Sequence, residues 1–521
     1  MTPPEPFASA PPRVTLVNAF TRPFDNAVAT ARTCYSARII TPDDVTRDEA
    51  AVALRDRIAR STYEAGHHTT LQHATFQFTL ESVSRQALWS FLHAHPFYNS
   101  EQVSQRYVEV KAGLVTRPAL PEPAQALYDA CVARMHACYR ALTDALMGPA
   151  AEAFFGVFPA RRKHPDTWRG AIKKKAQEVA RYALPVATHA HLYHTVNGIT
   201  LHRYHRMCAT GDVPTETRLL VQAMVDAVRA HDPLFFRDIE PVLEPAGTPT
   251  ELQRAASPSD PAAFNAAFDA ELGGRTSLLV DWKVNAERTV ANAVRAALGL
   301  MPQQLDDDAA LARVCDPGRN PLLSEALSLG TLDTVTRALH HPHYTFKKRL
   351  SHTADSQDQR HRMTPGSRPS LAATFAGGPT PDIVVPALLA GAPQALDLFH
   401  AEMSRVWADI DRLRAMGVGL EQALYLLPNA YPIRFEESGD YLFQHHKWTT
   451  RLCYNAQEEI WHATRDEVQQ VAEVHPRLGR WLLPPCGLRA AAERKPFCPE
   501  GPRFCGVPVW RVAPRDWART L

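Results

Sequence analysis

The feature that most constrains this chain is repetition. Thr331-Leu332-Asp333-Thr334-Val335-Thr336-Arg337 echoes Thr79-Leu80-Glu81-Ser82-Val83-Ser84-Arg85 in residue character, position by position. Further on, Asp355-Ser356-Gln357-Asp358-Gln359-Arg360-His361 echoes a polar cluster between Asn99 and Tyr107, and Leu424-Tyr425-Leu426-Leu427-Pro428 matches Arg181-Tyr182-Ala183-Leu184-Pro185. Three echoes in one order imply a tandem duplication with divergence. The expected copies span residues 13–245 and 277–480. Between them 246–276 turns to Ala, Pro, Ser, Asp and Gly, the composition of a linker, and 481–521 forms a Cys- and Pro-rich tail. A chain of 521 residues can bury a core in each copy.

Periodicity places the local elements. Phe76, Phe78 and Leu80 alternate with Thr75, Gln77 and Thr79, which predicts a half-buried strand with the aromatic rings in the core. Arg13–Val17 reads as a second strand. Helices are expected over Ala27–Tyr35, over Asp48–Ala65 with Gly66 as its stop, from Leu127 to Leu146, and over Thr217–His231. Cys131 and Cys138 fall on the apolar face of the third of these and read as packing. The adjacent His67 and His68 read as surface loop. Asn99, Ser104 and Arg106 bring amide, hydroxyl and guanidinium groups into one short stretch, suited to a phosphate or polar heterocycle and equally to a capped turn.

Composition narrows the function classes. A formal net charge of +2 does not suit a protein that coats nucleic acid, so any anion site must be local. No apolar run approaches the ~20 residues that span a bilayer, and the first residues lack the pattern of a signal peptide, so a cytosolic protein without a membrane role is expected. Nine cysteines, odd and scattered, suit reduced thiols. Cys486, Cys498 and Cys505 lie in a Pro- and Gly-rich stretch where zinc could substitute for a core. The fourth ligand is missing from that set, and packed or free thiols are the other reading.

The residues resemble the flavin-dependent thymidylate synthases. In the first copy the likeness runs through Ala31-Arg32-Thr33-Cys34-Tyr35-Ser36, His73 with Phe76 and Phe78, Asn99 to Tyr107, Ala180-Arg181 with Leu184-Pro185, and Thr195-Val196-Asn197. In the second it concentrates at Arg451 and Ala456-Gln457-Glu458-Glu459-Ile460. The resemblance implies an α+β protein, two divergent tandem copies of that fold followed by the tail. It implies reductive methylation of dUMP with methylenetetrahydrofolate as carbon donor, FAD as cofactor and NADPH as reductant. Carried over by position, Gln86, Ser104, Gln105, Arg106, Arg181 and Arg360 would bind the nucleotide, and His73, Thr75, His93 and Asn197 the flavin. Arg451 would face the uracil as the catalytic arginine.

Departures qualify the likeness. The family's Arg-His-Arg signature is missing upstream of the first nucleotide loop, where Leu92-His93-Ala94-His95 or Trp89-Ser90-Phe91 stands, and Lys348-Arg349-Leu350 is the partly basic stretch offered by the second copy. Leu424 replaces the arginine before the proline in the second copy, Asp358 replaces its loop serine, and Cys208 replaces the uracil-facing arginine in the first. Neither copy is complete, which leads to the expectation of composite sites in a homodimer that acts as a pseudo-tetramer. Two other functions fit the departures: a flavoenzyme acting on another pyrimidine nucleotide, and a non-catalytic nucleotide-binding scaffold. Ser104 and Asn197 equally suit helix caps, His73 a satisfied core histidine, and the arginines ordinary ion pairs.

Overall fold

The computed structural model describes residues 6–92, 97–208, 213–237 and 260–519. Along the chain come β1 (Arg13–Ala19), α1 (Pro23–Thr33), α2 (Glu49–Glu64), β2 (Thr75–Ser84), α3 (Arg85–Leu92), β3 (Tyr98–Gln102), α4 (Ala124–Ala145), α5 (Pro165–Ala180), β4 (His189–Asn197), α6 (Gly198–Met207) and α7 (Thr215–His231). The second series is α8 (Pro261–Leu272), β5 (Ser277–Trp282), β6 (His343–Ser351), α9 (His352–Asp358), β7 (Gly366–Ser367), α10 (Pro393–Ala415), β8 (Pro432–Asp440), α11 (Tyr441–Arg451) and α12 (Glu458–Val474). The two antiparallel sheets have the same topology, β1-β2-β4-β3 and β5-β6-β8-β7. Two copies of one α+β fold are therefore present.

The structural repeat departs from two of the three sequence echoes. The counterpart of β2 is β6. Asn197 pairs with Thr75 and N-caps α6, while Asp440 pairs with His343 and N-caps α11. Phe76 and Phe78 thus match Tyr344 and Phe346, and all four are fully buried. Thr331–Arg337 instead lies across two 3-10 turns, Leu329–Leu332 and Thr336–His340. Residues 355–361 fall in α9 and the turn after it, opposite α3 in the repeat, and the partner of β3 is the two-residue β7. Lys347-Lys348-Arg349 in the middle of β6 hides the strand from an apolar-alternation reading. The third echo holds: Arg181–Ala183 and Leu424–Leu426 are both 3-10 turns that lead into the strand pairing with β2 or β6.

The stretch read as linker carries α8. Asp260 accepts from the Ala263 N–H as N-cap, Pro261 occupies the first turn, and Gly273 closes the helix at φ +56°. An alanine-rich run between those caps favours helix over coil. Gly66, by contrast, ends α2 at φ +78° as its sequence position predicts.

Contacts divide the chain into two units that do not coincide with the copies. One contains 1–134, 185–259 and 409–427; the other contains 135–184, 260–408 and 428–521. Each sheet is thus joined in its unit by a segment of the other copy, and each exchanged segment carries the turn before the matched proline. In the first unit Phe76, Phe78, Leu80, Val83, Leu201, Val221 and Val225 form the core between β2 and the helices α6 and α7. In the second, Tyr344, Phe346, Trp448, Trp461, Val468 and Val471 do the same around β6, and Val509 and Trp517 of the tail join them. Among the described residues no helix is long and apolar enough to cross a membrane.

Candidate functional site

In the second unit, strand, helix and exchanged turn converge on Glu459. Ser351 ends β6 and caps α9, its Oγ accepting from the Ala354 N–H at 3.1 Å. Glu459, in the first turn of α12, accepts from the Ser351 N–H at 2.5 Å and Oγ at 2.6 Å, and from the Tyr182 hydroxyl at 2.6 Å. Tyr182 belongs to the first copy. Burial pushes the Glu459 carboxyl above its ordinary range, against the pull of the Ser351 and Tyr182 donors.

From Tyr182 a chain of hydrogen bonds runs to the expected catalytic arginine. Gln457 donates to the Tyr182 hydroxyl at 2.8 Å, and Gln357 donates to Gln457 Oε1 at 2.6 Å. The Gln357 carbonyl accepts from the Arg451 guanidinium at 2.5 Å and from the Arg360 backbone N–H at 3.3 Å. Arg181, buried beside Tyr182, donates to the Glu178 carbonyl at 3.1 Å, and its own carbonyl accepts from Asn429 at 3.0 Å. Arg451 and the Arg360 backbone thus meet at the Gln357 carbonyl, and the hydrogen-bond chain from there ends at Tyr182, the neighbour of Arg181 in the first copy.

The register places an intact Arg360-His361-Arg362 directly after α9. From the sequence alone Arg360 and His361 read as part of a nucleotide loop and Lys348-Arg349-Leu350 as the partly basic remnant of the signature, but that remnant lies inside β6. The His361 ring packs against His446 with centroids 5.9 Å apart, and among the described residues its buried Nε2 has no hydrogen-bond partner. Burial, then the charges of Arg451 and Lys447, hold His361 well below the usual histidine range, so it is neutral at pH 7.

Beneath these residues the core is ionic. Lys348 meets Asp358 at 2.8 Å and Glu467 at 2.9 Å, and Lys447 meets Asp358 at 2.8 Å and also pairs with Glu437. All five side chains are at most 1% exposed, which makes pairing obligatory. Asp358, read from the sequence as a lost loop serine, is instead the hub of this cluster.

The first unit repeats the scaffold without the arginines. Glu216 accepts from the Ser84 N–H at 2.7 Å, from Ser84 Oγ at 2.5 Å, from the Tyr425 hydroxyl at 2.9 Å and from Thr116 at 3.3 Å. Leu424 stands for Arg181, Cys208 for Arg451 and Pro214 for Gln457. Leu80, His194, Tyr204 and Met224 stand for Lys348, Glu437, Lys447 and Glu467, so this core is apolar and aromatic.

The other expected site residues all belong to the first unit. Ser104 Oγ accepts from the Arg106 N–H at 3.2 Å, a local turn, and Gln105 is buried beside it. Gln86 is buried, and among the described residues its Oε1 has no hydrogen-bond partner. Thr75 pairs with Asn197 at the sheet end, and Asn197 caps α6 by accepting from the Thr200 N–H at 2.9 Å. His73 is exposed at the end of a 3-10 turn, so it is not a core histidine. At Gly198 a Cβ would sit 2.6 Å from the Leu71 carbonyl, so glycine lets that turn approach the start of α6. His93 lies outside the described residues. Among the described residues no three His, Cys, Asp or Glu side chains are gathered as a ready metal site.

Duplicated α+β sheets, a Ser–Glu–Tyr scaffold and an arginine set define a class, and sequence comparison gives its family. The chain belongs to the Thy1 family, described as thymidylate synthase complementing protein, whose model matches residues 15–234 and 278–477. Curated relatives include the flavin-dependent thymidylate synthases of Mycolicibacterium gilvum (28% identical over 184 residues, 35% of this chain and 68% of the relative) and Mycobacterium tuberculosis (26% over 185 residues, 35% and 68%). Similar solved structures include the UMP/dUMP methylase PolB of Streptomyces cacaoi bound with 5-Br dUMP (TM-score 0.32, 16% identity, 44% of this chain and 94% of that one). Another is ThyX of Helicobacter pylori complexed with FAD and dUMP (TM-score 0.30, 18% identity, 44% and 100%).

Proposed function

We propose that this chain is a flavin-dependent thymidylate synthase that methylates dUMP to dTMP, taking the carbon from methylenetetrahydrofolate and the reducing equivalents from NADPH, with tetrahydrofolate and NADP+ released. The observation that carries this is the network joining Arg451 through Gln357, Gln457 and Tyr182 to the Arg181 turn, beside an intact Arg360-His361-Arg362. Permanently charged, planar donors and an unpartnered buried histidine nitrogen suit a phosphate-bearing, aromatic ligand such as FAD or dUMP.

FAD, when bound, supplies the hydride chemistry. Arg451 donates to the uracil and stabilises the negative charge that develops on its ring during methyl transfer. Its guanidinium is aimed by the Gln357 carbonyl, so little reorganisation accompanies that charge. Arg181 and Arg360 hold nucleotide phosphate, as do Gln86, Ser104, Gln105 and Arg106. His73, Thr75, His93 and Asn197 hold flavin, and a homodimer supplies four copies of the fold. The second unit carries the competent arginine set, and the first retains its scaffold.

The test is anaerobic reduction of the FAD-loaded protein by NADPH with dUMP present, followed by addition of methylenetetrahydrofolate. Bleaching, reoxidation and appearance of dTMP are expected. Failure to bind flavin would favour a nucleotide-binding scaffold, and turnover of a different pyrimidine nucleotide would redirect the substrate assignment.

A further inference from the structure

We infer that Cys453, Cys486, Cys498 and Cys505 bind one zinc ion that clamps the C-terminal tail onto the turn following Arg451. The sequence offers three of these thiols. The structure adds the fourth, because Cys453, far upstream in the chain, lines the same small cavity as Cys486, Cys498 and Cys505 in the second unit. All four are free thiols and none is fully buried. Four cysteines give the ligand set of a closed tetrahedral structural site, with Zn–S near ~2.3 Å.

The tail has little regular structure of its own to add to the packing of Val509 and Trp517. From residue 481 to 519 its regular structure is one seven-residue helix, Pro485–Ala491, and three 3-10 turns of three residues each. Asn455, two residues after Cys453, donates its side-chain amide to the Arg503 carbonyl at 2.6 Å, tying the two cysteine-bearing loops together. Gly506 follows Cys505 at φ +87°, and a Cβ there would lie 2.3 Å from Phe158, so the turn behind Cys505 is fixed by packing. Burial raises the Cys453, Cys486 and Cys505 thiols above their ordinary range, so zinc would have to displace their protons as it binds.

The four thiols line one cavity without forming a ready metal site among the described residues, so binding would draw them together. The site has a consequence for the neighbouring network. Cys453 lies between Arg451 and Gln457, and a metal at Cys453 restrains the loop that carries both.

The experiment is metal analysis of the full chain purified without chelator from zinc-supplemented cells, with a cobalt-substituted sample alongside. One zinc per chain is expected, together with thiolate-to-cobalt charge-transfer absorption and tetrahedral d–d bands. Cys498→Ser should lower the zinc content at least tenfold, and Cys34→Ser, at an exposed thiol outside the cluster, should leave it unchanged. Because Cys498→Ser could misfold, the cobalt spectrum of the unmodified chain stands as an independent test. Metal-free protein with all four thiols open to titration, or with these cysteines recovered as disulfides by mass spectrometry, would overturn the proposal.

Discussion

Tyr182 of the first copy donates its hydroxyl to Glu459 of the second at 2.6 Å, and Tyr425 of the second donates to Glu216 of the first at 2.9 Å. Each copy completes the Ser–Glu pair of the other. Tyr182→Phe leaves the Glu459 oxygen without that donor and should lower stability by about 1–3 kcal/mol, as should Tyr425→Phe for Glu216. Urea unfolding of the two variants checks this. An unchanged midpoint in both would show that the exchanged turns are not coupled to the carboxylates.

The ionic core of the second unit makes a sharper test. Lys447→Met leaves Asp358 and Glu437 buried with an unbalanced charge, and about 3–5 kcal/mol of destabilisation is expected. Replacing the pair together, Glu437→His with Lys447→Tyr, installs the residues that stack at the equivalent positions in the first unit, His194 and Tyr204. The double variant should be more stable than Lys447→Met alone. If the double variant is the weaker of the two, the equivalence drawn between the two cores is wrong.

Buried histidines set the acid limit. His202 and His445 occupy equivalent positions on α6 and α11, and burial lowers them to about 3 and about 4. Both are neutral when folded at pH 7, whereas the unfolded chain takes up protons near pH 6.5. Their contribution is thus intact above pH 6.5 and is lost as pH falls from there toward 4, by up to about 1.4 kcal/mol per pH unit per histidine. His202 sits among Phe235, Phe236 and Tyr63, so His202→Phe should flatten the decline measured by urea unfolding at pH 7, 6 and 5. Parallel declines in the variant and the parent would contradict the assignment.

The legible parts of the sequence were those whose meaning is local. Arg451 followed by Ala456-Gln457-Glu458-Glu459-Ile460 stands out by its resemblance to the family and leads into α12, and the Tyr–x–Leu–Pro turn repeats in both copies. Phe76 and Phe78 announce β2 by alternation. What escaped depends on distant partners. Lys348 can sit inside a strand only because Asp358 and Glu467 neutralise it, and no local pattern displays that. With β6 hidden by its lysines, Asp355–His361 reads locally as a nucleotide loop, although Arg360 and His361 belong with Arg362 to the run after α9. Its register depends on Ser351, which is identified by Glu459 across 108 residues. Cys453 joined the tail thiols for the same reason, through folding rather than spacing.

In the proposed function the arginine network of the second unit, and not its counterpart in the first, carries the chemistry. The measurement that tests it most directly is single-turnover formation of dTMP by the FAD-loaded chain, comparing Arg451→Ala with Cys208→Ala at the matched position of the first unit. Arg451→Ala should slow turnover by about 100-fold or more, with flavin still bound, because it removes a donor aimed at developing charge. Cys208→Ala should turn over like the parent. Full activity in Arg451→Ala, or loss of activity confined to Cys208→Ala, would contradict the account.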